Sequence, residues 1–263
     1  MPAPTLSVIL ITKNESTRID DCLASVAFAD EWIVVDSEST DDTCERARRF
    51  GATVIVSADW PGFGAQKQRA LDRATGRWVL AIDADERVSP ELATSIRHAV
   101  AAESGPAAYE LSRLSSFCDQ WIRHGDWYPD RVLRLFQRGQ GRFSSDRVHE
   151  RVMGEGPVGR LNGELLHLTM PTLEDALAKM NRYSSEGATQ ALAAGKRGGL
   201  ASAIAHATWA FLRGYAVRRG FLDGAAGFTV AAYVAQSTFW RYRKMAEHAR
   251  SLPREGGSAA PLQ

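Results

Sequence analysis

The chain has 263 residues, of which 44% are hydrophobic and 24% charged, and its formal net charge at pH 7 is +1. These values are ordinary for a globular protein and exclude a disordered chain. The near-zero charge also argues against bulk binding of nucleic acid. Cys22, Cys44 and Cys118 are widely spaced, so they indicate neither a disulfide framework nor a zinc site.

The charge is unevenly distributed along the chain. Residues 171–263 carry 12 Lys and Arg against 6 Asp and Glu, whereas residues 1–170 carry 20 against 25. This pattern predicts an acidic part that needs a cation and a basic part that faces an anionic partner. The N-terminal segment lacks a basic region and a cleavage site, so we expect a cytoplasmic chain.

Apolar runs alternate with helical patterns over the first hundred residues. Strands are predicted at residues 5–12, 31–35, 52–56 and 78–82. Helices are predicted between them, at about residues 16–27, up to residue 50, and at 63–74. Because this alternation requires crossover connections, we expect a largely parallel sheet. Further strands are predicted at 108–114, 132–136 and 165–168, and helices at 172–194, 200–213 and 228–250.

Three of the predicted strands end in polar clusters, at residues 12–15, at Asp36 and at residues 83–86. The carboxyl ends of parallel strands meet at one edge of the sheet, which is where ligands bind in open α/β sheets. Asp83 and Asp85 are two residues apart after a continuous apolar run, so both should project to the same side. Carboxylates placed in this way are suitable ligands for Mg²⁺ or Mn²⁺.

Four segments carry a resemblance to a known family: S-V-I-L-I-T-K-N-E, I-V-V-D-S-E-S-T-D-D-T, G-F-G-A-Q-K-Q-R-A-L and W-V-L-A-I-D-A-D-E. In this order, over roughly residues 5–100, they resemble glycosyltransferase family 2. The later segments W-Y-P-D-R-V-L-R-L-F and G-R-F-S-S-D-R-V-H-E resemble the bacterial lipopolysaccharide-core β-glucosyltransferase branch of that family.

The resemblance implies an α/β fold with a GT-A type, Rossmann-like nucleotide-sugar-binding domain, a mainly parallel sheet and a C-terminal helical extension. We place the GT-A domain at residues 1–170, with nucleotide binding at 1–100 and the acceptor side at 101–170. The helical extension should cover residues 171–252, and residues 253–263 are rich in Gly, Ser, Ala and Pro, which predicts a disordered tail.

The resemblance also assigns roles in binding a UDP-sugar donor. Thr12, Asn14 and Glu15 would line the nucleotide pocket. Asp36 would accept hydrogen bonds from uracil, and Lys67 would approach the base or the diphosphate. Two of these residues have ordinary structural alternatives: Asp36 as a helix cap and Lys67 as an exposed helix lysine.

Asp83 and Asp85 would form the D-x-D motif. Asp85 would coordinate the metal that bridges the diphosphate, and Asp83 would contact the ribose or metal-bound water. The acceptor hydroxyl needs a carboxylate to take its proton. Glu150 is the first candidate, and Asp126 and Asp130 are the alternatives.

The C-terminal segments combine aromatic and basic residues, as in Trp209 with Arg213 and Trp240 with Arg241. Such segments are typical of interfacial helices attracted to anionic lipid. The apolar runs are shorter than the roughly 20 residues that span a bilayer, so we expect no membrane-spanning helix. A helical subdomain or a dimer contact built from the same residues stays open.

The resemblance implies an inverting glycosyltransferase that moves a hexose, with glucose as the first candidate, from a UDP-sugar to a lipopolysaccharide inner-core acceptor. The enzyme would be peripheral at the cytoplasmic face of the inner membrane. A family 2 enzyme acting on a polysaccharide, polyprenyl-phosphate or lipid acceptor is the main alternative. A sugar-phosphate nucleotidyltransferase and a metal-binding receiver-like domain are less favoured, because the first loop has no glycine and the chain is too long for a receiver.

Overall fold

A computed structural model describes residues 5–144, 152–154 and 156–251. It separates into two compact units. The sheet unit contains residues up to Ser115 together with Pro129–Thr169, and the helical unit contains Ser116–Tyr128 together with the chain from Met170 onward. The predicted boundary at residue 170 therefore lies at the third crossing between the units, while residues 116–128 group with the helices.

The strands lie at β1 Leu6–Thr12, β2 Glu31–Asp36, β3 Thr53–Val56, β4 Trp78–Ala81, β5 Glu86–Val88, β6 Ala108–Phe117, β7 Gln120–Trp121, β8 Asp130–Gln137, β9 Gly141–Phe143, β10 Val152–Gly154 and β11 Val158–Met170. The helices lie at α1 Ile19–Ser25, α2 Thr43–Phe50, α3 Phe63–Arg73, α4 Pro90–Ala101, α5 Leu173–Ala193, α6 Leu200–Leu212 and α7 Gly224–Ser251.

The main sheet has the strand order β3-β2-β1-β4-β8-β6-β11-β5. β1 pairs in parallel with β2 and with β4, and β2 pairs in parallel with β3. This confirms the parallel sheet predicted from the alternation of strands and helices. β8 extends the sheet by antiparallel pairing with β4 and with β6, and β11 pairs antiparallel with β5.

Both faces of the central strands are buried, which explains their continuous apolar runs. On one face, Leu10 and Leu80 pack in a cluster with Ile96 of α4. On the other, Ile9 and Val79 pack in a second cluster that includes residues of α3. Helices therefore cover the two sides of the sheet.

Helix α4 was absent from the elements predicted from sequence, although its start carries clear signals. Ser89 caps the helix by accepting a hydrogen bond from the Leu92 backbone nitrogen at 3.2 Å, and Pro90 occupies the first turn. Leu92 and Ile96 are fully buried against the sheet.

The helical unit is built from α5, α6 and α7 around a separate core that includes Phe117, Ile122, Met170 and Val230. The cap predicted at Thr172 is confirmed, since its side chain accepts a hydrogen bond from the Asp175 backbone nitrogen at 3.1 Å. Within the described part of the chain, no helix combines the length and the apolar character that crossing a bilayer requires.

Gly163 of β11 allows α4 to approach the sheet closely. Its φ is +91°, and a Cβ added there would lie 2.3 Å from the Leu92 backbone nitrogen. Gly163→Ala is therefore expected to lower the free energy of unfolding by about 2 kcal/mol or more, since backbone strain and the contact with α4 both oppose it. Urea denaturation monitored by circular dichroism measures this change.

Gly139→Ala is the matched control, because Gly139 has φ of +88° but nothing within 4 Å of an added Cβ. This variant is expected to lower the free energy of unfolding by about 1 kcal/mol, because only backbone strain opposes it. Equal losses for the two variants would show that the approach of α4 is not tight.

Candidate active site

The strand pairing places the predicted site residues along one edge of the sheet. In the parallel register Thr12 lies beside Asp36, and Asp36 lies beside Val56. Ala81, two residues before Asp83, lies beside Ile9 on the other side of β1. The carboxyl ends of β1, β2, β3 and β4 therefore meet there, as the sequence predicts.

Asp36 is fully buried and organises the loop that follows β2. Its Oδ2 accepts a hydrogen bond from the Thr12 hydroxyl at 2.8 Å and another from the Ser39 hydroxyl at 2.5 Å. Its Oδ1 accepts a hydrogen bond from the Ser39 backbone nitrogen at 2.7 Å. This carboxylate fixes the shape of the edge, and its contact with uracil stays a prediction.

The loop after β1 is fastened to the loop after β2. Asn14 adopts the left-handed conformation with φ of 56°, and its Oδ1 accepts a hydrogen bond from the Thr40 backbone nitrogen at 2.8 Å. The backbone nitrogens of Asn14 and Glu15 donate to Ser39 Oγ and Thr43 Oγ1, both at 2.8 Å. The predicted nucleotide-binding residues thus belong to one connected pair of loops.

Asp83 is bound by two cations that come from different elements. Lys67 of α3 approaches Asp83 Oδ1 at 2.7 Å, and Arg134 of β8 approaches Asp83 Oδ2 at 2.7 Å. Burial alone would raise the pKa of Asp83, but the charges of Arg134 and Lys67 hold it well below its usual range. Lys67 is buried, so its alternative as an exposed helix lysine is wrong.

The ionic contacts continue from Asp83 to Asp130. The fully buried Glu86 accepts hydrogen bonds from the Asp83 backbone nitrogen at 2.9 Å and from Arg134 at 3.0 Å, and Arg113 lies 3.5 Å away. Arg113 in turn binds Asp130 at 2.6 Å. Lys67, Asp83, Arg134, Glu86, Arg113 and Asp130 therefore form a chain of alternating charges, which we call the ionic chain.

Arg134 of β8 turns inward, against Asp83 and Glu86, where it is buried. The available signal was an arginine at a core position of the apolar run V-L-R-L-F in β8. A buried arginine requires an acidic partner, and β8 adjoins β4, the strand that precedes Asp83.

Asp85 faces a histidine that the sequence analysis did not identify. Asp85 Oδ2 lies 3.4 Å from His167 Nε2, and the other ring nitrogen, Nδ1, lies 3.0 Å from Ser115 Oγ. The Leu168 backbone nitrogen also donates to the Asp85 carbonyl at 2.9 Å. His167 lies in strand β11, 82 residues after Asp85, and the pairing of β11 with β5 brings the two together.

Negative charge accumulates around Asp85. Burial raises the pKa of Glu15, the Arg18 guanidinium opposes this shift, and the neighbouring Asp85 carboxylate raises the pKa further.

Among the described residues, no group of three or more His, Cys, Asp or Glu side chains could hold a metal ion. Asp85 and His167 nevertheless place a carboxylate oxygen and an imidazole nitrogen side by side, which suits a divalent ion completed by substrate oxygens.

The three candidate bases lie in different surroundings. Asp126 belongs to the helical unit, where Arg213 binds it at 2.8 Å and Arg218 at 3.1 Å. Asp130 is held by Arg113 at the end of the ionic chain. Glu150 lies outside the described residues, so its role stays a prediction.

Comparison with known proteins identifies the family. Residues 7–139 match the glycosyl transferase family 2 domain. The chain belongs to this family. It is 33% identical to an uncharacterized glycosyltransferase of Rickettsia prowazekii, over 91% of this chain and 86% of that one. It is also 30% identical to the lipopolysaccharide core biosynthesis glycosyltransferase LpsC of Rhizobium meliloti, over 92% of this chain and 94% of that one.

Solved structures agree with the fold. The mannosyltransferase PcManGT of Pyrobaculum calidifontis, solved in complex with GDP-Man and Mn²⁺, is 18% identical with a TM-score of 0.50, over 97% of this chain and 76% of that one. The GT-A fold with a helical C-terminal region is confirmed, and the chain is a glycosyltransferase.

The lowered pKa of Asp83 gives stability a defined pH dependence. Its ionised form contributes stability above the unfolded pKa of about 3.9, and this contribution is lost as the pH falls through the lower folded pKa. Asp83→Asn is therefore expected to lower the free energy of unfolding most near neutral pH, with the difference from the parent shrinking below about pH 4. Urea titrations near neutral pH and below about pH 4 measure the free energy of unfolding of the variant and the parent.

Asp72→Asn on the exposed side of α3 is the control, and it should change the free energy of unfolding little at either pH. If the deficit of Asp83→Asn is the same at neutral and acidic pH, the ionised carboxylate is not what stabilises this edge.

Proposed function

We propose that this glycosyltransferase is an inverting, metal-dependent enzyme that transfers a hexose from a UDP-sugar to a lipopolysaccharide inner-core acceptor. Glucose is the first candidate for the hexose. The acceptor class is supported by the similarity to LpsC, which extends over nearly the whole of both chains. The observation that carries the reaction is the sheet edge at which Asp36, Asp83 and Asp85 converge beside buried cations.

The donor would lie along this edge. The connected loops after β1 and β2 place Thr12, Asn14 and Glu15 beside Asp36, where they would hold the nucleoside. Lys67 and Arg134 place positive charge against Asp83, at the end of the strand where the diphosphate is expected. Because both oxygens of Asp83 accept from cations, we assign this residue to the ribose or to metal-bound water.

A divalent ion, Mg²⁺ or Mn²⁺, would be held by Asp85 and His167. When bound, such an ion stabilises the negative charge that develops on a departing diphosphate. The hydrogen bond between Ser115 and His167 Nδ1 orients the ring so that Nε2 faces Asp85. Asp83 is held by Lys67 and Arg134, so we assign the second protein ligand of the ion to His167.

The acceptor hydroxyl would lose its proton to Glu150, the first of the three candidate bases. The described alternatives are engaged elsewhere: Asp126 binds two arginines in the helical unit, and Asp130 binds Arg113.

The metal assignment predicts how UDP affinity depends on the ion. In calorimetric titrations, Mn²⁺ should raise the affinity of the parent protein for UDP. Asp85→Asn and His167→Ala are each expected to reduce UDP affinity in Mn²⁺ by at least about tenfold, roughly 1.4 kcal/mol. Their metal-free UDP affinity should be unchanged, since the loops after β1 and β2 remain intact.

His98→Ala is the matched histidine control, because His98 is exposed on α4. It should retain the full response to Mn²⁺. Should both site variants keep that response as well, Asp85 and His167 do not hold the ion.

The donor and acceptor are tested by supplying UDP-glucose, UDP-galactose, UDP-N-acetylglucosamine and GDP-mannose separately with purified lipopolysaccharide core. Mass spectrometry of the core should show addition of one hexose from UDP-glucose. Addition from GDP-mannose alone would contradict the UDP assignment, and transfer only to a polyprenyl-phosphate acceptor would replace the core acceptor.

In the same assay Glu150→Gln is expected to lower turnover by about 10²- to 10⁴-fold, the usual contribution of a general base. UDP affinity in Mn²⁺ should stay at the parent level. Asp130→Asn provides the comparison. A greater loss of turnover in that variant than in Glu150→Gln would move the base to Asp130.

A further inference from the structure

Helix α6 exposes its large side chains and buries its small ones. Ala203 and Ala210 are buried, whereas Ile204 is 53% exposed and Trp209 is 55% exposed. A helix of a water-soluble domain normally turns its large apolar residues toward the core. Ile204 and Trp209 therefore contribute little to packing within the helical unit.

The packing of α6 against α7 explains how the small side chains suffice. A Cβ added to Gly198, just before α6, would lie 2.3 Å from the Tyr242 carbonyl oxygen of α7. The rings of His206 and Tyr242 stack at 4.5 Å with an interplanar angle of 7°. The chain segments approach closely enough to leave no room for larger residues between them.

The exposed apolar surface continues beyond the end of α6. Phe211 contacts Phe228 at 5.5 Å between ring centroids, and Tyr215 contacts both Phe228 and Phe221 at 5.6 and 6.3 Å. We call the exposed residues of this surface the docking face. They are Leu200, Ile204, Trp209, Leu212, Phe221 and Phe228.

The segments on either side of α6 are basic. Residues 187–222 contain five Lys and Arg and no Asp or Glu, and the next acid along the chain, Asp223, is mostly buried beside His124. Lys196 and Arg197 precede α6 and Arg219 follows it, while α6 itself has no Lys or Arg. Arg213 and Arg218 also follow α6 and bind Asp126, with 40% and 54% of their side chains still exposed. Such an arrangement complements a negatively charged surface whose interior is apolar.

We propose that the docking face binds an anionic lipid bilayer, with α6 lying in the plane of the interface. A helix of 13 residues is about 20 Å long and is too short to span a bilayer of about 30 Å. Trp209 and the phenylalanines suit the boundary between headgroups and acyl chains, and the flanking cations suit the headgroups. This inference rests on the helical unit alone and does not depend on the proposed donor or acceptor.

The test is flotation of the full chain with vesicles of phosphatidylcholine alone and of phosphatidylcholine mixed with phosphatidylglycerol. The parent should float with the anionic vesicles, and less so at high salt. Trp209→Ser with Ile204→Ser should reduce the bound fraction on anionic vesicles by about tenfold or more. Lys196→Gln with Arg197→Gln should weaken binding by about fivefold per cation removed, and only on anionic vesicles.

Trp60→Ser is the matched control, since Trp60 is 51% exposed in the sheet unit. It should float like the parent. UDP titration of every variant confirms that the sheet unit is folded, so a loss of flotation cannot be attributed to unfolding there. Circular dichroism of the Trp209 and Ile204 variant checks the helices.

Three results would overturn the proposal. The first is a parent chain that stays with neither kind of vesicle, and the second is equal flotation of the parent and the double serine variant. The third is a parent that dimerises in sedimentation velocity, does not float, and becomes monomeric on Trp209→Ser with Ile204→Ser. That last result would assign the docking face to a second copy of the chain.

Discussion

The arrangement of the active edge depends on the balance of charge at Asp83. A carboxylate at the end of an apolar strand would be costly to place near the buried Glu86 unless cations compensated both. Lys67 and Arg134 provide that compensation from α3 and β8, on opposite sides of Asp83 in the chain. Each link of the ionic chain joins residues from different elements, so forming it requires the sheet and its helices to be assembled.

The two acids of the D-x-D motif have different partners. Asp83 is committed to the ionic chain and fixes the end of β4, whereas Asp85 faces His167. The two acids of the motif therefore lie in different surroundings, Asp83 between two cations and Asp85 beside a histidine. Ser115 contacts one ring nitrogen of His167, and the other ring nitrogen faces Asp85. His167 lies in β11 and Asp85 directly precedes β5, so the two residues meet because β11 and β5 pair.

The order of elements and the edge on which the acids meet could be predicted from sequence, because apolar runs and polar strand ends are local patterns. Thr12, Asp36 and Asp83 were located correctly by this reasoning. His167 and the inward turn of Arg134 could not be, since they arise from the antiparallel half of the sheet. The order of β8, β6, β11 and β5 does not follow the sequence, and no local pattern specifies it.

The helical unit follows a different physical rule from the sheet unit. In the sheet unit large apolar residues such as Trp78 and Phe136 are fully buried, and the charged residues within the core are compensated. In α6 the close approach of α7 reserves the interior for Ala203 and Ala210, which forces Trp209 outward. Sequence periodicity could not distinguish these cases, because it shows which residues share a side of a helix but not which side is covered. If the proposed membrane binding and lipopolysaccharide acceptor hold, this surface would restrict the enzyme to the plane of the membrane and so raise the local concentration of its acceptor.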